Sequence, residues 1–233
     1  MDHRRVELSN CELGESEITA NRLFHVFVLG LPRSGTSMMT KICELLGVNM
    51  IYTSEDPEKK EKMDERYKKT LGEKYHPNRD GFFEVTENLF DHFLDVLATP
   101  YSGCKMIIPV RRPIADVMVF HPYSRVIQMW RDPEEIRQSQ QAFYRGDSME
   151  EADTRVAMLR TQLATQKLQL EKMGEKSGLQ TMHVQYREIL ASPTPIIEEL
   201  ADFINAPNDI GQAIAHVKPE RNRFRKEDLV EGI

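Results

Sequence analysis

The chain has 233 residues, 40% of them apolar, with 31 Lys and Arg against 37 Asp and Glu for a formal net charge of −6. That length and apolar content suit one substantial core, and the acidic balance excludes a general nucleic-acid binder while leaving room for local basic clusters. No apolar run approaches the roughly 20 residues of a membrane span, the opening segment lacks the apolar stretch of a secretory signal, and three scattered cysteines, Cys11, Cys43 and Cys104, form neither a disulfide framework nor a zinc pattern. A cytosolic protein is the expectation.

Residues 1–21 are polar and read as an arm ahead of a domain over 22–233. Leu23 to Leu29 (LFHVFVL) has the length of a buried strand, with His25 a structural residue inside it. Gly30 to Ser37 (GLPRSGTS) follows, and Met38, Met39, Ile42, Leu45 and Leu46 then fall on one face of a helix. Strand, glycine-rich loop and helix turn backbone N–H groups toward an anion, usually a phosphate. The nucleoside-triphosphate form of this loop reads G-x-x-x-x-G-K-[ST]. Here Thr36 occupies the lysine position and a cation stands earlier, as Arg33, so the loop suits an anion other than the γ-phosphate of ATP.

Val48 to Tyr52 reads as a short strand, and the densely charged 55–80 segment as a surface helix or a lid over a site. From Val85, the apolar positions Leu89, Phe90, Phe93, Leu94 and Leu97 keep helical spacing. Cys104 to Ile108 and Val126 to Trp130 read as buried strands. The second runs into Arg131-Asp132-Pro133-Glu134-Glu135, where aspartate as N-cap, proline at the first helical position and glutamate at the third mark a helix start. A long helix over about Ser148 to Met173 carries Val156, Leu159, Leu163, Leu170 and Met173 in one stripe, Thr181 to Tyr186 reads as a strand, and Thr194-Pro195 opens another helix. Strands alternating with helices imply a three-layer α/β/α domain around a mainly parallel sheet. Ligands then bind at the carboxyl ends of the strands, where Gly30 and Arg131 both fall.

Taken together, PRSGTS, RDPEEIRQS and QYREILASPTPIIEELADFI resemble, in order and spacing, the sulfotransferase family that uses 3′-phosphoadenosine 5′-phosphosulfate (PAPS), with the Pro-Arg loop opening of its bacterial-type branch. The resemblance covers about Phe24 to Arg225 and implies a P-loop-like phosphosulfate-binding loop. It assigns Arg33, Ser34, Gly35, Thr36 and Ser37 to the 5′-phosphosulfate, and Arg131 with Ser139, eight residues later, to the 3′-phosphate. A basic segment near the carboxyl end, with Arg221, Arg223 and Arg225, commonly closes over that phosphate. Lys105 at the family's strand position would stabilise the departing phosphate. The Lys-Thr-His base of the animal enzymes is replaced by Lys105-Met106-Ile107, and Glu84 of HPNRDGFFE becomes the candidate general base. The implied reaction is metal-free sulfuryl transfer to a hydroxyl or amine of a small-molecule or glycan-like acceptor. Two alternatives stay open: a nucleotide or small-molecule kinase, and a nucleotide-binding module of the same fold without turnover.

Overall fold

The computed structural model describes residues 25–51, 99, 101–107, 124–144, 149–206 and 208–218. The 1–21 arm, the 55–80 segment, Glu84, the helix read from Val85 and the arginines Arg221, Arg223 and Arg225 lie outside the described residues.

Five strands, β1 (His25–Gly30), β2 (Asn49–Met50), β3 (Ser102–Ile107), β4 (Ser124–Trp130) and β5 (Gln180–Gln185), form one sheet in the order β2-β3-β1-β4-β5, every pairing parallel. β1 lies at the centre and is buried on both faces, as its apolar run Val26 to Leu29 requires. The helices are α1 (Thr36–Leu45), α2 (Pro133–Tyr144), α3 (Met149–Ser177), α4 (Tyr186–Ala191), α5 (Pro193–Phe203) and α6 (Gly211–His216).

The period of two in the strands sorts the core into layers. Val26, Val28, Ile127 and Met129 pack toward Met39 and Ile42 of α1 and Ile197 and Leu200 of α5. Phe27, Leu29 and Val126 face the other way, toward Leu170 of α3. Leu31, just past β1, joins Ile136 of α2 with Leu159 and Leu163 of α3. The expected three-layer α/β arrangement is the observed one.

Two short helices were not legible. β5 ends at Gln185 and Tyr186 opens α4, one residue earlier than the strand reading allowed. Met182, Val184 and Tyr186 are all buried, so the alternation of the strand runs on into the first residue of the helix. α6 has six residues, and only Ala213 among them is buried, which leaves no helical stripe to detect.

Cys43 and Cys104 are buried free thiols, and burial pushes each up to about 12. The fold favours the neutral thiol. This contribution to stability is therefore complete below the ordinary thiol value and is lost as the pH climbs toward 12. At pH 8 the folded protein should expose no more than one of its three thiols, Cys11, to a disulfide reagent, with the other two reacting only in denaturant. Reaction of Cys43 or Cys104 in the folded state would contradict the burial. No helix of the described residues is long and apolar enough to cross a membrane.

Candidate functional site

Because every strand runs the same way, Gly30, Ile107, Trp130 and Gln185 end at one edge of the sheet, and the segments that follow meet there. The loop after β1 turns tightly, with the Ser34 amide donating to the Leu31 carbonyl at 3.1 Å. Arg33 (φ 73°) and Gly35 (φ 96°) both take the left-handed region. This suits Gly35, which as N-cap of α1 offers no side-chain cap to the first-turn amides, and no acidic residue stands in that turn. An uncapped, acid-free helix start facing a chain reversal is an anion cradle. Its floor has room for glycine only: a Cβ on Gly30 would lie 2.5 Å from Ser34 Oγ and 2.7 Å from Thr36 Cγ2. The Ser34 hydroxyl is fully buried and has no hydrogen-bond partner among the described residues.

Three basic side chains, one from the loop itself, one from β3 and one from the end of β4, meet at this loop. Lys105, 1% exposed and two residues short of the end of β3, donates from Nζ to Ser37 Oγ at 3.2 Å. Arg33 reaches from Nε to Ser139 Oγ on α2 at 2.9 Å. Arg131, first residue beyond β4, donates from Nη1 to the Arg33 carbonyl at 3.0 Å. The two motifs separated by about a hundred positions in the sequence thus touch, with the arginine of each engaging the other's segment. Gln140 Nε2 on α2 adds a long contact, 3.5 Å, to the Pro32 carbonyl.

The start of α2 follows the sequence expectation in one half only. Asp132 Oδ1 accepts the Glu134 amide at 2.8 Å, as an N-cap aspartate should. Glu135 does not act as the helix-start glutamate of the sequence reading. Its carboxylate, 1% exposed, accepts from Arg131 Nε at 3.0 Å and from Arg187 Nε at 3.1 Å. The Arg131 guanidinium also lies over the Tyr186 ring, 4.4 Å from its centroid. Glu135, Tyr186 and Arg187 were missed as site residues. The available signal was the position of Tyr186 and Arg187 immediately past a strand whose tip lies beside Arg131.

Beyond Arg131 a cavity of about 660 Å³ opens between α3 and the strand tips, lined by Trp130, Arg131, Glu135, Leu163, Lys167 and Arg187 among others. His183 on β5 packs edge-on to Trp130 with centroids 6.3 Å apart, and partial burial followed by the nearby Lys167 charge holds its imidazole below the ordinary range. His25 shares a 3.2 Å hydrogen bond with Ser102 deep in the sheet. Among the described residues no cluster of His, Cys, Asp and Glu has the arrangement to hold a metal ion.

Two mycobacterial sulfotransferase structures share this fold. Sulfotransferase STF9 from Mycobacterium avium aligns at 17% identity over 82% of this chain and 66% of that one, with a TM-score of 0.52. Sulfotransferase STF1 from Mycobacterium tuberculosis aligns at 11% identity over 83% and 71%, with a TM-score of 0.50. Mouse sulfotransferase SULT7A1, solved in complex with PAP, aligns at 14% identity over 90% and 78%, with a TM-score of 0.48. The chain therefore spans about two thirds of the length of the Mycobacterium avium protein. No curated protein sequence matches it significantly. The profile described as the sulfotransferase family matches residues 25–209, most of the chain and every strand of its sheet, and the chain belongs to the sulfotransferase family.

Proposed function

We propose that this protein transfers a sulfuryl group from PAPS to a hydroxyl or amine of a small-molecule acceptor by in-line displacement. The observation that carries the reading is the junction of the two anion-directed motifs: Arg131 bound to the carbonyl of Arg33, and Arg33 bound to Ser139. One ligand with anionic groups at two separated points suits such a junction better than a mononucleotide with a single phosphate chain.

The residues fit that donor. The orphaned Ser34 hydroxyl and the uncapped first-turn amides of α1 supply donors for a 5′-phosphosulfate, together with Gly35, Thr36 and Ser37. PAPS brings an activated sulfuryl group on a phosphate leaving group. Lys105, buried with Nζ on Ser37 Oγ, stands where leaving-group charge develops, and an ammonium facing that charge in a site of low dielectric is worth far more than in water. Arg33 bridges the two motifs, and Arg131 with Ser139 holds the 3′-phosphate. Arg221 and Arg223 cover that phosphate, and Glu84 takes the acceptor proton. A cytosolic setting belongs to the same reading, since the two buried thiols fit a reducing compartment.

The rival kinase reading needs a loop lysine and a carboxylate for magnesium. Thr36 replaces the first, and Asp132, the nearest aspartate to the loop motif's partner, is engaged as a helix cap. Thermal unfolding separates the two. Adenosine 3′,5′-bisphosphate at about a hundred times its dissociation constant should stabilise the protein by ~2.7 kcal/mol, raising Tm by roughly 5–10 °C. Protection by Mg-ATP and none by the bisphosphate would reverse the assignment. Incorporation of radiolabel from PAPS into an acceptor panel then distinguishes an enzyme from a silent binding module.

A further inference from the structure

Glu135 departs from the role its position predicts. A glutamate at the third residue of a helix usually turns back to the N-cap amide. Here one oxygen accepts from Arg131 Nε at 3.0 Å and the other from Arg187 Nε at 3.1 Å. The Arg131 and Glu135 side chains are 7% and 1% exposed, while that of Arg187 is 48% exposed. A single carboxylate thus ties the β4–α2 junction to the first turn of α4.

We infer that Glu135, with Arg187 on its second oxygen, is a positioning residue for Arg131, holding the guanidinium in register for the 3′-phosphate of the donor. The inference rests on the PAPS reading above. Arginine carries a long, rotamer-rich side chain, and a contact that depends on its fork geometry gains when that freedom is removed beforehand. Three restraints do this for Arg131: the Glu135 carboxylate, the Arg33 carbonyl and the Tyr186 ring. Arg187 has a second effect. A lone carboxylate would cancel the charge of Arg131, whereas one carboxylate between two guanidinium groups leaves the trio with a net single positive charge. The clamp is rigid and still attracts an anion.

Removing the carboxylate has two opposed consequences, and they can be separated. The net charge rises by one, which favours any nearby phosphate within a screening length. The orientation of Arg131 loosens, which weakens only the phosphate that Arg131 contacts. The ratio of affinities for adenosine 3′,5′-bisphosphate and adenosine 5′-monophosphate carries both effects with opposite signs: the added charge beside the 3′-phosphate raises it and the loosened Arg131 lowers it, so a fall in the ratio reports the loss of orientation.

Calorimetric titration with these two nucleotides tests the inference. Glu135→Gln should lower the bisphosphate-to-monophosphate ratio by ~10-fold or more, the equivalent of one charged hydrogen bond. Glu135→Asp should recover part of that loss. Arg187→Gln, at a half-exposed position, should melt as the parent does and lower the ratio by about 3-fold. An unchanged or raised ratio in Glu135→Gln, whether or not Tm falls, is the signature of a merely structural carboxylate and overturns the inference. If Glu135→Gln does not fold, an unchanged ratio in Arg187→Gln overturns it equally. Equal affinity of the unaltered protein for the two nucleotides would instead remove the 3′-phosphate assignment of Arg131, and the inference with it.

Discussion

Arg131→Ala should bind adenosine 3′,5′-bisphosphate roughly 10- to 100-fold more weakly than the parent, with adenosine 5′-monophosphate affected far less. The estimate corresponds to about 1.5–3 kcal/mol for a hydrogen bond to a charged group. The same change should also lower stability, because the side chain does three things in the folded protein. It pairs with Glu135, it supports the Arg33 carbonyl and it covers the Tyr186 ring. Removing one partner of a buried pair costs about 3–5 kcal/mol. The loss should fall near the low end, since Arg187 remains on the second Glu135 oxygen. A drop of about 3 kcal/mol corresponds to roughly 6–12 °C in Tm for a domain of this size. Arg131→Lys should restore part of the melting temperature and little of the bisphosphate affinity, because an ammonium has no planar fork with which to meet Glu135, the Arg33 carbonyl and a phosphate at once. Parental bisphosphate affinity in Arg131→Ala would remove this arginine from the donor site.

The second large effect is expected from a single methyl group. Gly35→Ala places a Cβ at φ 96°, a conformation costing an L-residue about 1–2 kcal/mol. That Cβ also runs into the Tyr186 ring, where Cε2 is 2.9 Å away and Cδ2 closer still. Overpacking of this kind adds about 1–3 kcal/mol. The ring cannot yield without consequence, since it carries the Arg131 guanidinium on its face. Together these costs of about 2–5 kcal/mol should depress Tm by roughly 4–20 °C and weaken binding at both ends of the nucleotide, measured by calorimetry on protein that remains folded. Unchanged Tm and unchanged binding together would mean that the loop does not need the left-handed residue.

Much of the fold was legible because long periodic segments carry it. β1 carries the apolar run Val26 to Leu29 and is buried on both faces, and α1, α3 and α5 show helical stripes that become core. The Asp132-Pro133 helix start was legible because capping chemistry is local and needs no tertiary context. The family resemblance assigned Arg131 and Ser139 to one site, and both residues meet the loop through Arg33. Glu135 was misread for the converse reason. Its sequence position satisfied a local rule, while its actual partners depend on Arg187, 52 positions away and brought near only by the parallel pairing of β4 with β5. Tyr186 was drawn into the preceding strand because its burial continues the strand's alternation. Glu84, Arg221 and Arg223 were named from the family resemblance and lie outside the described residues.

The tethering of the β1–α1 loop has a thermodynamic consequence. A free glycine-rich loop would have to surrender its conformational entropy when a ligand arrives, and affinity would fall by that amount. Here Pro32 and Arg33 are fastened by their carbonyl oxygens to Gln140 and Arg131, and Arg33 is fastened again through Ser139. The ordering cost is met when the polypeptide folds, so the full interaction enthalpy at this edge remains available for discriminating one anion from another.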